Sequence, residues 1–208
     1  MSFYGRILGS PFVYNFVRPM VVGGIDMSPL YASLEVSERD VVVDVGCGTG
    51  DALNYLDSFS SYCGFDIDEM AVSYAKERFA DRMNVTFQKR ILGKDEIDQI
   101  KPTRVVLAGL LHHITDQEVL DLFSMLARSP CLVRVVTQDI VYLPNEMISN
   151  FFASLDRGRH CRKQDEYEAL VKQAGFNVVH STIVRSHPTR GRVKYLLMTI
   201  DPKTQGRL

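Results

Sequence analysis

No run in this 208-residue chain approaches the ~18 consecutive apolar residues of a transmembrane helix. The N-terminus has Arg6 and Arg18 in a broken aromatic pattern, with no apolar core followed by a small-residue cleavage site. Cysteine is scarce. Cys47, Cys63, Cys131 and Cys161 form no C-x-x-C pair and no metal-ligand spacing, so no disulfide framework and no metal centre is expected. A reducing cytoplasm is the compartment that fits. Net charge is nearly absent as well, at −1, which gives no overall pull toward nucleic acid or a membrane surface. There is no internal repeat, no low-complexity stretch, and no Ser/His/Asp or Cys/His signature of nucleophilic catalysis. The 46% hydrophobic content describes one globular domain with a proper core. Charge is uneven along it. From Arg157 onward there are eleven Lys and Arg against four Asp and Glu, a basic C-terminal quarter whose ordinary role is a solvated surface.

The most informative stretch is Val41-Val42-Val43-Asp44-Val45-Gly46-Cys47-Gly48-Thr49-Gly50. A β-branched run suits a central strand of a parallel sheet, buried on both faces. Three glycines at alternate positions then let the backbone turn and approach a ligand closely. Asp51–Leu56 is the expected helix after the turn. A dinucleotide fingerprint would need glycine where this chain has Asp51. Asp44 would repel a pyrophosphate and suits a cationic ligand instead. In Tyr62-Cys63-Gly64-Phe65-Asp66-Ile67-Asp68 the acid Asp66 falls 22 positions after Asp44, where the second strand of a βαβ unit offers a carboxylate to ribose hydroxyls. A ligand with a ribose and an amine but no phosphate satisfies both acids. The bland alternative is a tight strand-to-helix connection with no ligand.

On these residues the chain resembles the class I S-adenosylmethionine (SAM)-dependent methyltransferases, in their small-molecule branch. Asp44–Gly50 is similar to the family's first motif and Gly64–Ile67 to its second. Leu107-Ala108-Gly109-Leu110-Leu111-His112-His113-Ile114 is similar to the end of its fourth strand. The resemblance is specific over residues 40–128; further on, Asp156-Arg157-Gly158-Arg159-His160 resembles a branch of small bacterial members. It implies SAM as cofactor, with S-adenosylhomocysteine (SAH) as product. Asp44, Gly46, Cys47, Gly48 and Gly50 would lie along its amino acid part, Asp66 at the ribose, and Gly109 and Leu110 nearby. Many members place an acid beyond the third strand for the adenine amino group. This chain has Ile91 there, so apolar contact from Ile67 and Ile91 is expected to hold the adenine.

The remaining chain fits an α/β, Rossmann-like domain over residues 1–208. Residues 1–35, with Tyr4, Phe12, Tyr14, Phe16 and Tyr31, read as a helical lid or as aromatics packed on the sheet. Residues 36–137 form the cofactor-binding core, with strands at 85–87, 104–108 and 131–136 and a capping box at Thr115–Glu118. Residues 138–162 are a substrate-side insertion. Residues 163–208 give a helix ending at Gly175 and a hairpin, 176–184 with 192–200. Helices on both faces of a seven-stranded sheet ordered 3-2-1-4-5-7-6, with a terminal antiparallel hairpin, is the architecture implied.

Methyl transfer needs no nucleophilic side chain; alignment within ~3–3.5 Å of the acceptor does most of the work. A base is required when the acceptor is a hydroxyl. His112, His113 and Asp139 are the catalytic candidates, since the loops after the fourth and fifth strands open on one edge. The other reading packs one histidine away and leaves only its neighbour at the site. Tyr14, Tyr142, Arg159 and His160 are the candidates for holding the acceptor. The expected activity is SAM-dependent methylation of a small molecule, at oxygen before nitrogen or carbon. Alternatives are a non-catalytic SAM-binding partner subunit and a nucleic-acid methyltransferase. The last lacks an Asn/Asp-Pro-Pro-aromatic motif and an added basic module.

Overall fold

The computed structural model describes residues 25–147, 149–151, 159–191 and 193–203. Helix α1 (Ser28–Leu34) leads into β1 (Val41–Val45), and β2 (Ser61–Asp66) and α2 (Glu69–Arg78) follow. Next come β3 (Val85–Lys89), α3 (Lys94–Ile100), β4 (Arg104–Ala108), α4 (Asp116–Leu126) and β5 (Arg134–Ile140). Helix α5 (Gln164–Gln173) and the hairpin of β6 (Phe176–Arg185) and β7 (Lys194–Pro202) close the domain. The seven strands form one sheet ordered β3-β2-β1-β4-β5-β7-β6. β1 to β5 run parallel, and β7 is antiparallel to both β5 and β6.

Period-two alternation divides the strands between two apolar layers. Val43, Phe65, Val105, Leu107, Val135 and Leu196 face α3, α4 and α5, where they meet Ile97, Phe123 and Tyr167. Val42, Tyr62, Val106, Val136 and Leu197 face α1 and α2, meeting Leu30, Leu34 and Val72. Burial on both sides is why β1 and β4 read as unbroken apolar runs. At the start of α4, Thr115 and Glu118 form the expected reciprocal cap: the Thr115 hydroxyl accepts the Glu118 amide, and Glu118 accepts the Thr115 amide at 2.7 Å.

Two elements differ from the sequence expectation. The helix expected over Asp51–Leu56 is a single 3₁₀ turn, Asp51–Asn54. The chain must return to β2 by Ser61, and Arg78 of α2 pins the turn by reaching Asp51 at 2.5 Å and Asn54 at 2.8 Å. The fifth strand runs over Arg134–Ile140, not 131–136. Thr137, Gln138 and Asp139 end the apolar run, yet all three are buried. Asp139 therefore sits inside the strand rather than in the loop after it, and the segment 138–162 begins as strand. That segment returns beside β5 through a parallel bridge between Val141 and Arg162.

Candidate active site

The site lies at the carboxyl edge of the sheet, where the order reverses between β1 and β4. After β1 the chain turns through Gly46, Gly48 and Gly50, all at positive φ. The three are not equivalent. A Cβ on Gly50 would stand 2.8 Å from the Phe87 ring, so that glycine serves packing. A Cβ on Gly48 would meet nothing within 4 Å, so this part of the turn faces open space. Cys47 turns its side chain inward against Gly64 and Phe87, leaving only backbone toward the turn's outer side. Burial, with Asp44 and Asp66 close by, pushes its thiol well above the usual range.

Asp44 is 3% exposed. One carboxylate oxygen accepts the Tyr62 hydroxyl at 2.7 Å; the other, Oδ1, has no partner among the described residues. Burial pushes the Asp44 carboxyl up to about 7, the negative charges of Asp66 and Asp51 add to the rise, and the Tyr62 hydroxyl opposes it. An unsatisfied buried carboxylate oxygen is unfavourable by itself. A cationic amine beside it removes that defect. Asp66 is held differently, accepting the Gly48 amide at 2.8 Å and the Asp68 amide at 2.9 Å. A carboxylate has about four lone-pair sites, so two remain for ligand hydroxyls. Just past β2 and β3, Ile67 and Ile91 are 72% and 79% exposed. Two such side chains at the edge offer apolar faces to a planar base. These acceptors and faces fit a nucleoside bearing an amine.

Across the edge, β4 leads through Gly109, at positive φ, into a 3₁₀ turn at Leu111–His113. Leu110 packs toward Gly46, the nearest neighbour a Cβ there would have, so the two loops touch. His112 Nδ1 lies 2.8 Å from Asp139 Oδ1, with both side chains 1% exposed, and the same oxygen accepts the His112 amide at 3.2 Å. His113 is exposed and tilts over His112 at a ring separation of 4.1 Å. Of the two histidines, the structure thus pairs only His112 with Asp139.

The acceptor-side residues are spread out. Tyr142 is 44% exposed, its amide bonded to the Arg162 carbonyl. Arg159 is exposed, and the His160 amide donates to the His112 carbonyl at 3.1 Å. Tyr14 lies outside the described residues, as do Tyr4, Phe12, Phe16, Asp156 and Arg157. Arg162 carries no functional signal in the sequence, since it sits in a basic run that reads as surface. It is buried, and its guanidinium donates to the carbonyls of Leu111 at 2.7 Å, Ile114 at 2.8 Å and His160 at 3.0 Å. It also pairs with Asp116 and lies over the Tyr167 ring. One side chain therefore ties both ends of the His112 turn to α4 and to the returning segment. Tyr31 and Tyr62, which flank Asp44, also carry no signal in a linear reading.

Residues 42–129 match the protein family described as "Methyltransferase domain". Over 87 residues the chain is 36% identical to ribosomal protein L11 methyltransferase of Staphylococcus aureus (strain MRSA252). That stretch is 41% of this chain and 28% of that protein, so the chain spans little more than a quarter of the length of the curated relatives it matches. Among solved structures it is similar to magnesium protoporphyrin IX methyltransferase (ChlM) of Synechocystis PCC 6803 with bound SAH. The TM-score is 0.61 at 17% identity, covering 97% of this chain and 88% of that one. Mitomycin 7-O-methyltransferase (MmcR) gives a TM-score of 0.65 at 18% identity, covering 97% and 61%. At such identities the likeness is one of fold. Residues 42–129 thus match a methyltransferase-domain family, and the sheet that holds them has the fold of solved SAM-dependent methyltransferases. No helix among the described residues is long and apolar enough to cross a membrane.

Proposed function

We propose that the chain binds SAM at the β1–β2 edge and transfers its methyl group to a hydroxyl of a small-molecule acceptor. Asp44 Oδ1 takes the amine, the Gly46–Gly50 backbone lies along the amino acid part, and Asp66 takes the ribose hydroxyls. Ile67 and Ile91 border the adenine, and Gly109 and Leu110 form the opposite wall. Bound there, SAM supplies a methyl group on a cationic sulfur that needs no further activation. The rest of the chain has to orient the acceptor, exclude water and take one proton.

The observation that carries the hydroxyl reading is the buried His112–Asp139 contact. A carboxylate only accepts, so His112 Nδ1 holds its proton toward Asp139 and Nε2 is left in the lone-pair form that a base requires. Asp139 then favours the imidazolium that forms as the acceptor proton arrives. Both MmcR, an O-methyltransferase by name, and the L11 enzyme share parts of this framework, and they act on very different acceptors. The test is SAH release from SAM over an acceptor-free background, with a panel of phenols and aliphatic alcohols against amines and a peptide substrate. Release with hydroxyl acceptors supports the proposal, and release with amines or peptide alone replaces it. Tight SAM binding with no release from any of them favours a non-catalytic partner role.

A further inference from the structure

Two groups of exposed apolar side chains stand at the carboxyl edge of the sheet, and their surroundings differ in charge. Ile67, Met70 and Ile91, just past β2 and β3, are accompanied by the acids Asp66, Asp68 and Glu69. The second group follows β5. Residues 147 and 149–151 form a helical turn, on which Met147 and Phe151 are 84% and 60% exposed. Side chains four apart are neighbours on one helix face. Ser149, midway between them, is buried and accepts the Lys194 amide at 3.0 Å. The turn is therefore seated on the start of β7, with its Met147–Phe151 face pointing away from the sheet. Asn150 fixes it in place by bonding the Leu143 amide at 3.1 Å and the Leu143 carbonyl at 2.6 Å. Leu143, Pro144 and Ile183 line an open groove alongside.

The charges beside this turn are positive. Arg185 stands opposite Lys194 in the β6–β7 ladder, one strand spacing of about 4.8 Å further out. Arg190 is exposed on the connection between the two strands. Of the nearby carboxylates, Glu146 pairs with Lys194 and Asp26 accepts the Ser28 amide; Arg185 and Arg190 pair with neither. Arg39, Arg82 and Arg159 also lack a carboxylate partner among the described residues, so an unmatched guanidinium by itself marks nothing. What sets this corner apart is the meeting of cations with two large apolar tips, which the net charge of −1 conceals. Apolar tips left in water favour a partner that covers them. A surface of anionic headgroups over acyl chains fits both features: the tips enter the apolar layer and the guanidiniums stay at the phosphates.

We infer that this corner docks the chain on an anionic lipid surface, with Met147 and Phe151 inserted at the interface and Arg185 and Arg190 against the headgroups. Such docking is peripheral and goes beyond the proposed methyl transfer, on which it does not depend. The segment that carries the turn leaves β5 and returns to the His112 carbonyl through the His160 amide. Docking thus brings a bilayer to the edge that holds His112.

The full chain is mixed with vesicles of phosphatidylcholine alone, or of phosphatidylcholine with about one third phosphatidylglycerol, and binding is read by sedimentation. Binding to the anionic vesicles is expected to be at least tenfold tighter and to weaken with salt. Arg185→Gln with Arg190→Gln should weaken it about 10- to 30-fold, near fivefold per cation. Met147→Ser with Phe151→Ser should weaken it about tenfold or more. All four side chains are exposed, so thermal melts and SAH affinity should match the wild type in both double variants. No vesicle binding, equal binding to the two compositions, or binding unchanged in either double variant overturns the inference. An effect of the arginine pair alone therefore counts against it, since such a patch would take any polyanion, RNA included. A dimer that Met147→Ser with Phe151→Ser abolishes, seen without vesicle binding, would assign the face to a second copy and overturn it too. SAH binding without vesicle binding removes the docking and leaves the methyl-transfer reading; vesicle binding without SAH binding does the reverse.

Discussion

The β1–β2–β3 half and the β4–β5–β7 half of the sheet meet at one edge but are built on different principles. The first half works through backbone: glycines at positive φ, and a carboxylate locked by the Gly48 and Asp68 amides. The second works through side chains drawn from distant points of the chain. His112 meets Asp139, and Arg162 reaches back some fifty residues to the Leu111 carbonyl. A backbone-built site can serve any acceptor that shares the cofactor, whereas a side-chain-built site is free to specialise. Burial differs too. Asp44 keeps one oxygen open for a partner, while Arg162 has carbonyls and a carboxylate on every arm.

Breaking the backbone half has the largest expected effect. Gly50→Val forces a branched Cβ into the Phe87 and Phe79 rings at positive φ, which should destabilise the domain by about 3 kcal/mol or more, read by chemical denaturation. Gly48→Val meets no neighbour, so about 1–2 kcal/mol of backbone strain is all the fold should lose. SAH binding should nonetheless disappear, as measured by calorimetry. Loss of the fold in both would mean that the turn is purely structural.

Asp44 gives the next effect. Its carboxyl is raised to about 7 in the fold, so the ligand-free domain favours the protonated form. The stability this gives is fully present below the unfolded value near 4 and is lost as pH rises through about 7. Asp44→Asn should therefore flatten the fall in stability between pH 4 and 7 and leave the ligand-free protein about 2–4 kcal/mol more stable at pH 8. Cofactor affinity runs the opposite way. A bound ammonium pulls the carboxyl back down, so wild-type affinity for SAH should weaken by up to about tenfold per pH unit below 7. In the Asn variant it should be lower and nearly flat. Thermal melts across pH, with and without SAH, read both. A pH-independent wild-type affinity would detach Asp44 from the amine.

On the other half, Arg162→Lys keeps the charge but cannot serve three carbonyls and Asp116 together. It should reduce stability by about 2 kcal/mol and lower the rate of methyl transfer at saturating cofactor, with SAH affinity unchanged. Should SAH affinity fall equally, the two halves are less separate than the geometry indicates.

The same contrast explains what was legible in the sequence. Backbone-built features announce themselves locally: alternate glycines after three valines, and an acid at the end of the next strand. The strand order is legible only through the resemblance to the class I methyltransferases, and the structure has that order. Side-chain convergence leaves no local trace. Nothing in a linear reading links Arg162 to Leu111 or Tyr62 to Asp44. Thr137, Gln138 and Asp139 hid the end of β5 because polar residues there are buried as strand. The Asp51–Leu56 helix fails for a related reason: a helix is the usual sequel to a strand and glycine turn, but β2 must begin at Ser61, which leaves room for one 3₁₀ turn.

The division of labour between the halves is tested most directly by single-turnover methyl transfer measured across cofactor concentration in Asp66→Ala and His112→Ala, with any acceptor that the hydroxyl panel identifies. The account predicts a crossed result. Asp66→Ala should weaken cofactor binding by about 1–3 kcal/mol and reach nearly the wild-type rate at saturation. His112→Ala should keep its half-saturation point and lose about 10²–10⁴-fold in the plateau rate. A His112 variant with full plateau rate, or one that loses affinity as Asp66→Ala does, would contradict it.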